Sequence, residues 1–511
     1  MVHLNYLFFL AASLLISASA NPTNVERADH GPACLELRRV LPPGTVHNPV
    51  LDALEYLKDT THWASSSTQL ATCSVCPGTT QDVATILRTV SSTRTPFAVE
   101  GGGHASNPGF SSTEGVHISM SRFSEVTYDA DTQTAVVGAG LIWDDVYAAL
   151  APHGVNVLGG RVTGVGVSGF MLGGGYSWKS NQYGLAVDSA VAFELVKPNG
   201  DVVNVTSTSD PTLFSGLKAR YGGMNNFGIV TRFTLRTFPQ TMVWGGLITY
   251  TLPHIPEVAS AVADFSTRVT DPKASIITTY NFLLGQGSTF LILSGMRIDG
   301  IFEKFLAIQS FTKDIKTRDF LSLVKASPSN ITYGQRSELL PDSPSPDSLT
   351  NRTACRAIFN TVSLTKYTPT ILETILNETS YWGAHLSSKS GTFISYDVEP
   401  FLPDLFSHNT TPSAYPPNRS IGLSPLNIYY AWLDPKFDSD FHQAARDTAA
   451  SIRNAAIVES QDIIGAPPYP NYAIFDTPLE QMYGSGLAGL KTLKASVDPT
   501  NVMGLAGGFK F

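Results

Sequence analysis

Val99-Glu100-Gly101-Gly102-Gly103-His104-Ala105-Ser106-Asn107-Pro108-Gly109 carries an apolar segment into three glycines and then a histidine. Residues 96–100 read as a strand, and the glycines behind it let the backbone turn tightly and expose bare N–H groups. A nest of such amides suits the diphosphate of a nucleotide cofactor without needing a lysine. No Gly-Lys-[Ser/Thr] follows, so this is not a Walker A loop. Taken alone, such a cluster is more often a turn with a surface histidine.

Two further glycine regions change that reading. Gly159-Gly160-Arg161-Val162-Thr163-Gly164-Val165-Gly166-Val167-Ser168-Gly169-Phe170 leads into Gly173-Gly174-Gly175-Tyr176. Gly164-x-Gly166-x-x-Gly169 fits the dinucleotide fingerprint, with Asp188 near the acidic spacing. The fingerprint requires a buried strand before it and a helix after it, whereas more glycines follow here, so the Rossmann reading is rejected. The third region, Tyr221-Gly222-Gly223-Met224-Asn225-Asn226-Phe227-Gly228-Ile229, ends at a strand start. Three such loops suggest an extended cofactor lying across several strand ends.

On either side, hydrophobic periodicity gives helices at 33–39, 80–90 and 143–150, and strands at 116–120, 134–138, 190–196 and 229–235. From residue 69 to 237 the texture is α/β. After about Met242, strands at 244–252, 275–284, 290–295 and 427–433 alternate with helices at 255–268, 301–311 and 437–454, around a Pro/Ser/Asp-rich loop at 341–348. This second half reads as an antiparallel sheet backed by helices, with a tail after Ile464 returning to the first domain.

The 511 residues exceed one ordinary core, so two or more domains are expected. With 43% hydrophobic and 15% charged residues the chain is globular, and a net charge of −8 without a basic run argues against a nucleic-acid partner. Residues 1–20 read as a signal peptide: a short apolar run followed by Ala18-Ser19-Ala20. No later stretch suits a membrane span. Asn204, Asn330, Asn351, Asn377, Asn409 and Asn418 each begin an Asn-x-[Ser/Thr] sequon, which agrees with a secreted glycoprotein. In an oxidising compartment a Cys34–Cys73 bridge pinning the N-terminal arm is expected, leaving Cys76 and Cys355 either to pair or to stay buried. Cys73-x-x-Cys76 has no second pair or histidine cluster beside it, so no metal site is expected.

Taken together, the motifs resemble the vanillyl-alcohol-oxidase / para-cresol-methylhydroxylase (PCMH) superfamily, in its berberine-bridge-enzyme-like branch of FAD-linked oxidoreductases. The resemblance rests on Gly102-Gly103-His104, Gly166-Val167-Ser168-Gly169-Phe170, Gly173-Gly174-Gly175-Tyr176-Ser177-Trp178 and Asp498-Pro499-Thr500-Asn501-Val502-Met503-Gly504. It runs from about Cys73 onward and is most specific over residues 96–235. It implies an α+β fold: a two-lobed PCMH-type FAD-binding domain (69–240), a substrate domain (241–463), and a C-terminal segment (464–511) returning to the FAD domain. It further implies that His104 bonds covalently to the flavin 8α-methyl group. Gly101, Gly102, Gly103, Ala105 and Ser106 would cradle the diphosphate. Gly164, Val165, Gly169, Gly174 and Tyr176 would line the flavin, and Ile229 would meet the adenine end. Val162 stands where many relatives carry a second attachment cysteine, so a single link is expected.

For the base that oxidation requires, Tyr469-Pro470-Asn471 matches a Tyr-x-Asn segment of the family, and Tyr429, Tyr430 and Glu399 are candidates on the sheet. Tyr469, with Asn471 and Tyr430, forms the expected catalytic set. The implied activity is an oxygen-dependent oxidase that releases hydrogen peroxide while oxidising a small natural product of secondary metabolism. Two alternatives are a secreted carbohydrate oxidase and a flavin-binding protein with little turnover.

Overall fold

The computed structural model describes residues 30–218, 224–283, 286–295, 300–326, 355–409, 416 and 418–511. The expected signal peptide, residues 221–223 of the third glycine region, the loop at 341–348, and Asn330 and Asn351 lie outside them.

Three sheets organise the α+β fold. In the first, β1 (Val46–His47), β2 (Cys73–Val75), β3 (Phe97–Glu100) and β4 (Val116–Ser119) lie in the order β1-β2-β4-β3, with β2 and β3 parallel to β4. Helix Thr80–Thr93 links β2 to β3, and its Val83, Ile86, Leu87 and Val90 are buried at helical spacing. Its first turn is closed by a capping box between Thr79 and Asp82, which satisfies backbone donors that would otherwise be orphaned.

The second sheet is built from β5 (Val126–Asp129), β6 (Thr134–Gly138), β8 (Ala190–Val196), β9 (Val202–Thr206) and β10 (Ile229–Arg236) in the order β5-β6-β10-β8-β9. A small pair joins β7 (Val155–Asn156) to β11 (Phe238–Pro239). The second sheet is wholly antiparallel, unlike the α/β texture expected there. Its outer strands β5 and β9 are short and largely exposed, so they carry little apolar alternation to read.

The third sheet holds β12 (Val243–Thr251), β13 (Ser275–Leu283), β14 (Gln286–Gly295), β15 (Thr312–Arg318), β16 (Arg356–Leu364), β17 (Gly391–Val398) and β18 (Ser424–Trp432). Their order is β15-β12-β14-β13-β17-β18-β16, antiparallel throughout. Successive residues on a strand point to opposite faces. Ile276, Tyr280, Leu291, Ile358, Tyr396, Ile428 and Tyr430 therefore enter a core with helices Ile255–Arg268, Pro369–Ser387 and Asp438–Val458. The other face looks toward the first domain. The helix expected at 301–311 shrinks to Glu303–Ala307, and the polar residues after it form the edge strand β15. An edge strand this polar gives no alternation to detect.

Helix Leu487–Val497 follows the sheet, and beyond it Ala506 bridges to Phe97 beside β3 while Asn226 Nδ2 donates to Phe509 O at 2.8 Å. A Cys34–Cys73 disulfide ties helix Gly31–Val40 to β2, and Cys76 and Cys355 are buried thiols outside that bridge. Asn204, Asn377 and Asn418 are exposed; Asn409 is half-buried, and its Nδ2 donates to Asp188 Oδ1 at 2.6 Å. Among the described residues no helix is long and apolar enough to cross a membrane.

Candidate active site

A cavity of about 340 Å³ lies between the glycine loops and the open face of the third sheet. On the loop side, β3 ends at Glu100 and the chain turns at Gly103, where φ is +65°, a conformation that favours glycine. Gly102 faces Gly166 so closely that a Cβ on Gly102 would come within 2.5 Å of Gly166 Cα. The first two glycine regions thus pack backbone to backbone, which leaves a floor without side chains. Gly101, Gly102, Gly103, His104, Ala105, Ser106, Val165, Gly169 and Ile229 all line the cavity, as does Val162.

Gly164, Gly174 and Tyr176 do not line it. Gly164 donates its N–H to Asp144 Oδ2 at 2.9 Å, and Gly174 accepts from the Val187 amide at 3.0 Å. Tyr176 is fully buried with its hydroxyl on Leu423 O at 3.2 Å, and its ring packs edge-on against Tyr469. These three residues shape the wall from behind. Ser106 has a second use, since its Oγ accepts the Phe359 amide at 3.2 Å and joins the loop to β16.

His104 stacks on Trp63, with ring centroids 4.7 Å apart and planes 11° from parallel. Burial lowers the pKa of His104 to about 4, so its imidazole is neutral at physiological pH. Trp63 also packs against Phe359 and Tyr429, and Tyr429 against Phe393, which makes an aromatic wall beside the histidine.

On the same sheet face as Phe393 and Tyr429, β17 and β18 present a line of polar groups. Ser395 and Asp397 alternate with Tyr396 and Val398, and Glu399 follows just past the strand end. Asp397 accepts from Ser395 Oγ at 2.8 Å and from Asn427 Nδ2 at 3.1 Å. Burial pushes its pKa up to about 7, and these two hydrogen bonds offset only part of the rise. Glu399 is occupied differently: Oε2 lies 2.6 Å from Arg161 Nη2, and Oε1 accepts the Tyr472 hydroxyl at 3.1 Å. Burial opposes the charge on Arg161, but Glu399 and Tyr472 outweigh it and hold the guanidinium above the ordinary arginine value. Asp397, by contrast, takes its hydrogen bonds from two neutral groups, Ser395 and Asn427, where Glu399 is matched to a cation.

Tyr469 and Asn471 both line the cavity, and Asn471 Nδ2 donates to Tyr469 Oη at 2.9 Å. Burial raises the Tyr469 phenol to about 12, with Asn471 pulling it part of the way back. Tyr430 is not at the site. It sits on the helix-facing side of β18, fully buried, with its hydroxyl 2.5 Å from that of Tyr396. One residue along the strand reverses the face, so the aromatic of that pair that reaches the cavity is Tyr429.

Asn107 Oδ1, Ser111 Oγ and Asn427 Oδ1 line the cavity, and each is buried without a hydrogen-bond partner in the protein. Buried polar atoms of this kind normally have partners, so a polar ligand in the cavity fits the site. With a side-chain-free glycine floor beside them, the cavity suits a dinucleotide cofactor.

Residues 71–206 match the family model FAD_binding_4, described as FAD binding domain. The chain is 36% identical over 285 residues to an uncharacterized FAD-linked oxidoreductase of Arthroderma benhamiae, covering 54% of this chain and 56% of that one. It is likewise 36% identical over 283 residues to the FAD-dependent monooxygenase drtC of Aspergillus calidoustus, covering 53% and 54%. It therefore spans about half the length of the curated relatives it matches. The fold superposes on BBE-like 1 of Physcomitrella patens, a berberine-bridge-enzyme-like protein, with a TM-score of 0.71, 19% identity, and coverage of 93% and 97%. Residues 71–206 are thus an FAD-binding domain, in a chain that has the berberine-bridge-enzyme-like fold.

Sequence reasoning about this cavity passed over Trp63, Arg161, Asp397 and Asn427. Asp397 was readable: Ser395, Asp397 and Glu399 recur at every second residue, the period of one strand face. Arg161 is hidden between glycines that read as backbone, and Trp63 precedes the domain in a loop with no periodicity.

Proposed function

We propose that this flavoprotein is an FAD-linked oxidoreductase that oxidises a small natural product, an alcohol, amine or activated ring, with dioxygen as final acceptor and hydrogen peroxide as by-product. The observation that carries the proposal is the cavity itself, with the His104 loop on one wall and an acidic, aromatic sheet face on the other. Bound FAD would supply a two-electron acceptor.

The protein's own residues account for the rest. The neutral imidazole of His104 keeps a nitrogen lone pair for a covalent bond to the flavin, and Val162 offers no second attachment. Asp397, poised near neutrality, takes the proton that leaves the donor's hydroxyl or ammonium as hydride departs. Tyr469 stays protonated, held by Asn471, and offers its hydroxyl as a donor to the bound substrate. Trp63, Phe359, Phe393 and Tyr429 hold an apolar ring and exclude water. Export belongs to the same proposal, supported by the Cys34–Cys73 bridge, since disulfides persist in oxidising compartments.

The test is flavin fluorescence in a denaturing gel, for wild type and His104→Ala, followed by a donor screen for peroxide release. Fluorescence that stays with the wild-type band and leaves in the variant supports the linkage. A folded protein, supplied with FAD, that binds none of it would sink the proposal. The name of the drtC relative favours a second reading, in which oxygen enters the product. Product mass after turnover under labelled dioxygen separates the two.

A further inference from the structure

Glu100, His62 and His117 form a buried group outside the cavity. Glu100 Oε2 lies 2.9 Å from His117 Nε2 and 3.3 Å from His62 Nε2, and both imidazoles are fully buried. Three titratable side chains in one dry place oppose folding unless they compensate one another. None of the three lines the cavity, so donor oxidation does not use them. Among the described residues no group of His, Cys, Asp or Glu is arranged to hold a metal.

Their position is specific. Glu100 immediately precedes the glycine turn, and its Oε1 lies 2.8 Å from where a Cβ on Gly103 would stand. On the other side of the turn, the carbonyl oxygen of Thr61 lies 3.2 Å from the same point. Trp63 N–H donates to Gly103 O at 2.8 Å, and its ring lies on His104. His62, between Thr61 and Trp63, is fixed with Nδ1 3.0 Å from Thr60 O and Nε2 3.2 Å from Ser111 O. His117 comes from β4, beside β3 in parallel register. Behind it, Asp59 is held by His47 and Ser74, each at 2.7 Å.

We propose that Glu100, His62 and His117 are positioning residues for flavin attachment. They clamp the Gly103 turn and the Thr61–Trp63 segment together, so that His104 is held at a fixed angle between its Trp63 platform and the flavin. This rests on the covalent reading given above. Attachment breaks one C–H bond of the 8α-methyl group and the N–H bond of His104 and forms one C–N bond. The two electrons released pass into the flavin ring and on to dioxygen, which leaves with both protons as hydrogen peroxide. A ring nitrogen held out of line slows bond formation steeply.

The test mixes full-length apoprotein with FAD and follows two readouts: total flavin kept after native desalting, and flavin kept after SDS. For Glu100→Gln the expected result is native FAD binding close to wild type and covalent incorporation slower by roughly tenfold to a hundredfold. The wild-type incorporation rate falls toward acid as His62 and His117, held neutral by burial with Asp59 and His47 behind them, take up protons; Glu100→Gln removes the carboxylate that faces both rings and moves that limb. A merely structural role would leave the pH profile unmoved. Incorporation at the wild-type rate and with the wild-type profile overturns the inference. Should Glu100→Gln fail to fold, His62→Asn is measured by the same two readouts and decides on the same terms. If wild type itself sheds all its flavin in SDS, the covalent reading falls and this inference with it; loss of attachment control confined to the variants leaves that reading intact.

Discussion

The two acids of the sheet, Asp397 and Glu399, stand two residues apart and do different work. Glu399 is spent on Arg161 and Tyr472, whereas Asp397 is steadied by two neutral donors and kept near pH 7 by burial. A proton acceptor works only in its ionised form, so kcat/KM is expected to fall as pH drops below about 7 and to level off above it. Asp397→Asn should lower kcat by about 10²- to 10⁴-fold with the flavin retained, and should remove the acid limb. Steady-state pH profiles of both proteins check this. Tyr469, the residue favoured from sequence, lacks this poise because its phenol lies near 12. A Tyr-x-Asn segment can be read from sequence; which of several buried acids is left without a cation is a matter of packing that no local pattern encodes.

Strand β18 shows how alternation assigns roles. Asn427 and Tyr429 face the cavity, while Ile428 and Tyr430 face the helices. Tyr430→Phe removes one hydroxyl from a buried pair with Tyr396. It should lower stability by about 1 kcal/mol, seen in chemical denaturation, and leave turnover unchanged. A fall in kcat without loss of stability would return Tyr430 to the catalytic set. The strand itself was legible in sequence as an aromatic run, but its facing was not: Leu426 to Trp432 is buried on both sides, because helices cover one face and the cavity wall the other, and Asn427 is its one polar side chain besides the tyrosines. The glycine loops were legible for the opposite reason, since a positive φ at Gly103 and the contact of Gly102 with Gly166 leave few other residues acceptable.

Across the whole molecule, long-range ties close the part of the fold that carries the glycine loops. The Cys34–Cys73 bridge closes a separation of 39 residues, and on chain-entropy grounds contributes about 4 kcal/mol. Cys34→Ser with Cys73→Ser is expected to lower the denaturation midpoint accordingly while native FAD binding survives; an unchanged midpoint would show that packing of helix Gly31–Val40 alone secures the arm. The antiparallel third sheet and its helical backing were readable from periodicity, and the tail after Ile464, expected to return to the first domain, carries the motif at Asp498. Asp498 turns out to anchor that return by accepting the Val502 and Met503 amides, each at 2.8 Å. Ala506 bridges to Phe97, and Gly507 and Gly508 enter the cavity wall beside the glycine loops. A ribosome therefore cannot finish the cofactor pocket in the order in which it makes the chain. The nascent first domain must wait, incomplete, while the entire sheet domain is translated, and the loading of a cofactor would be a late event that follows the synthesis of residues 506–508.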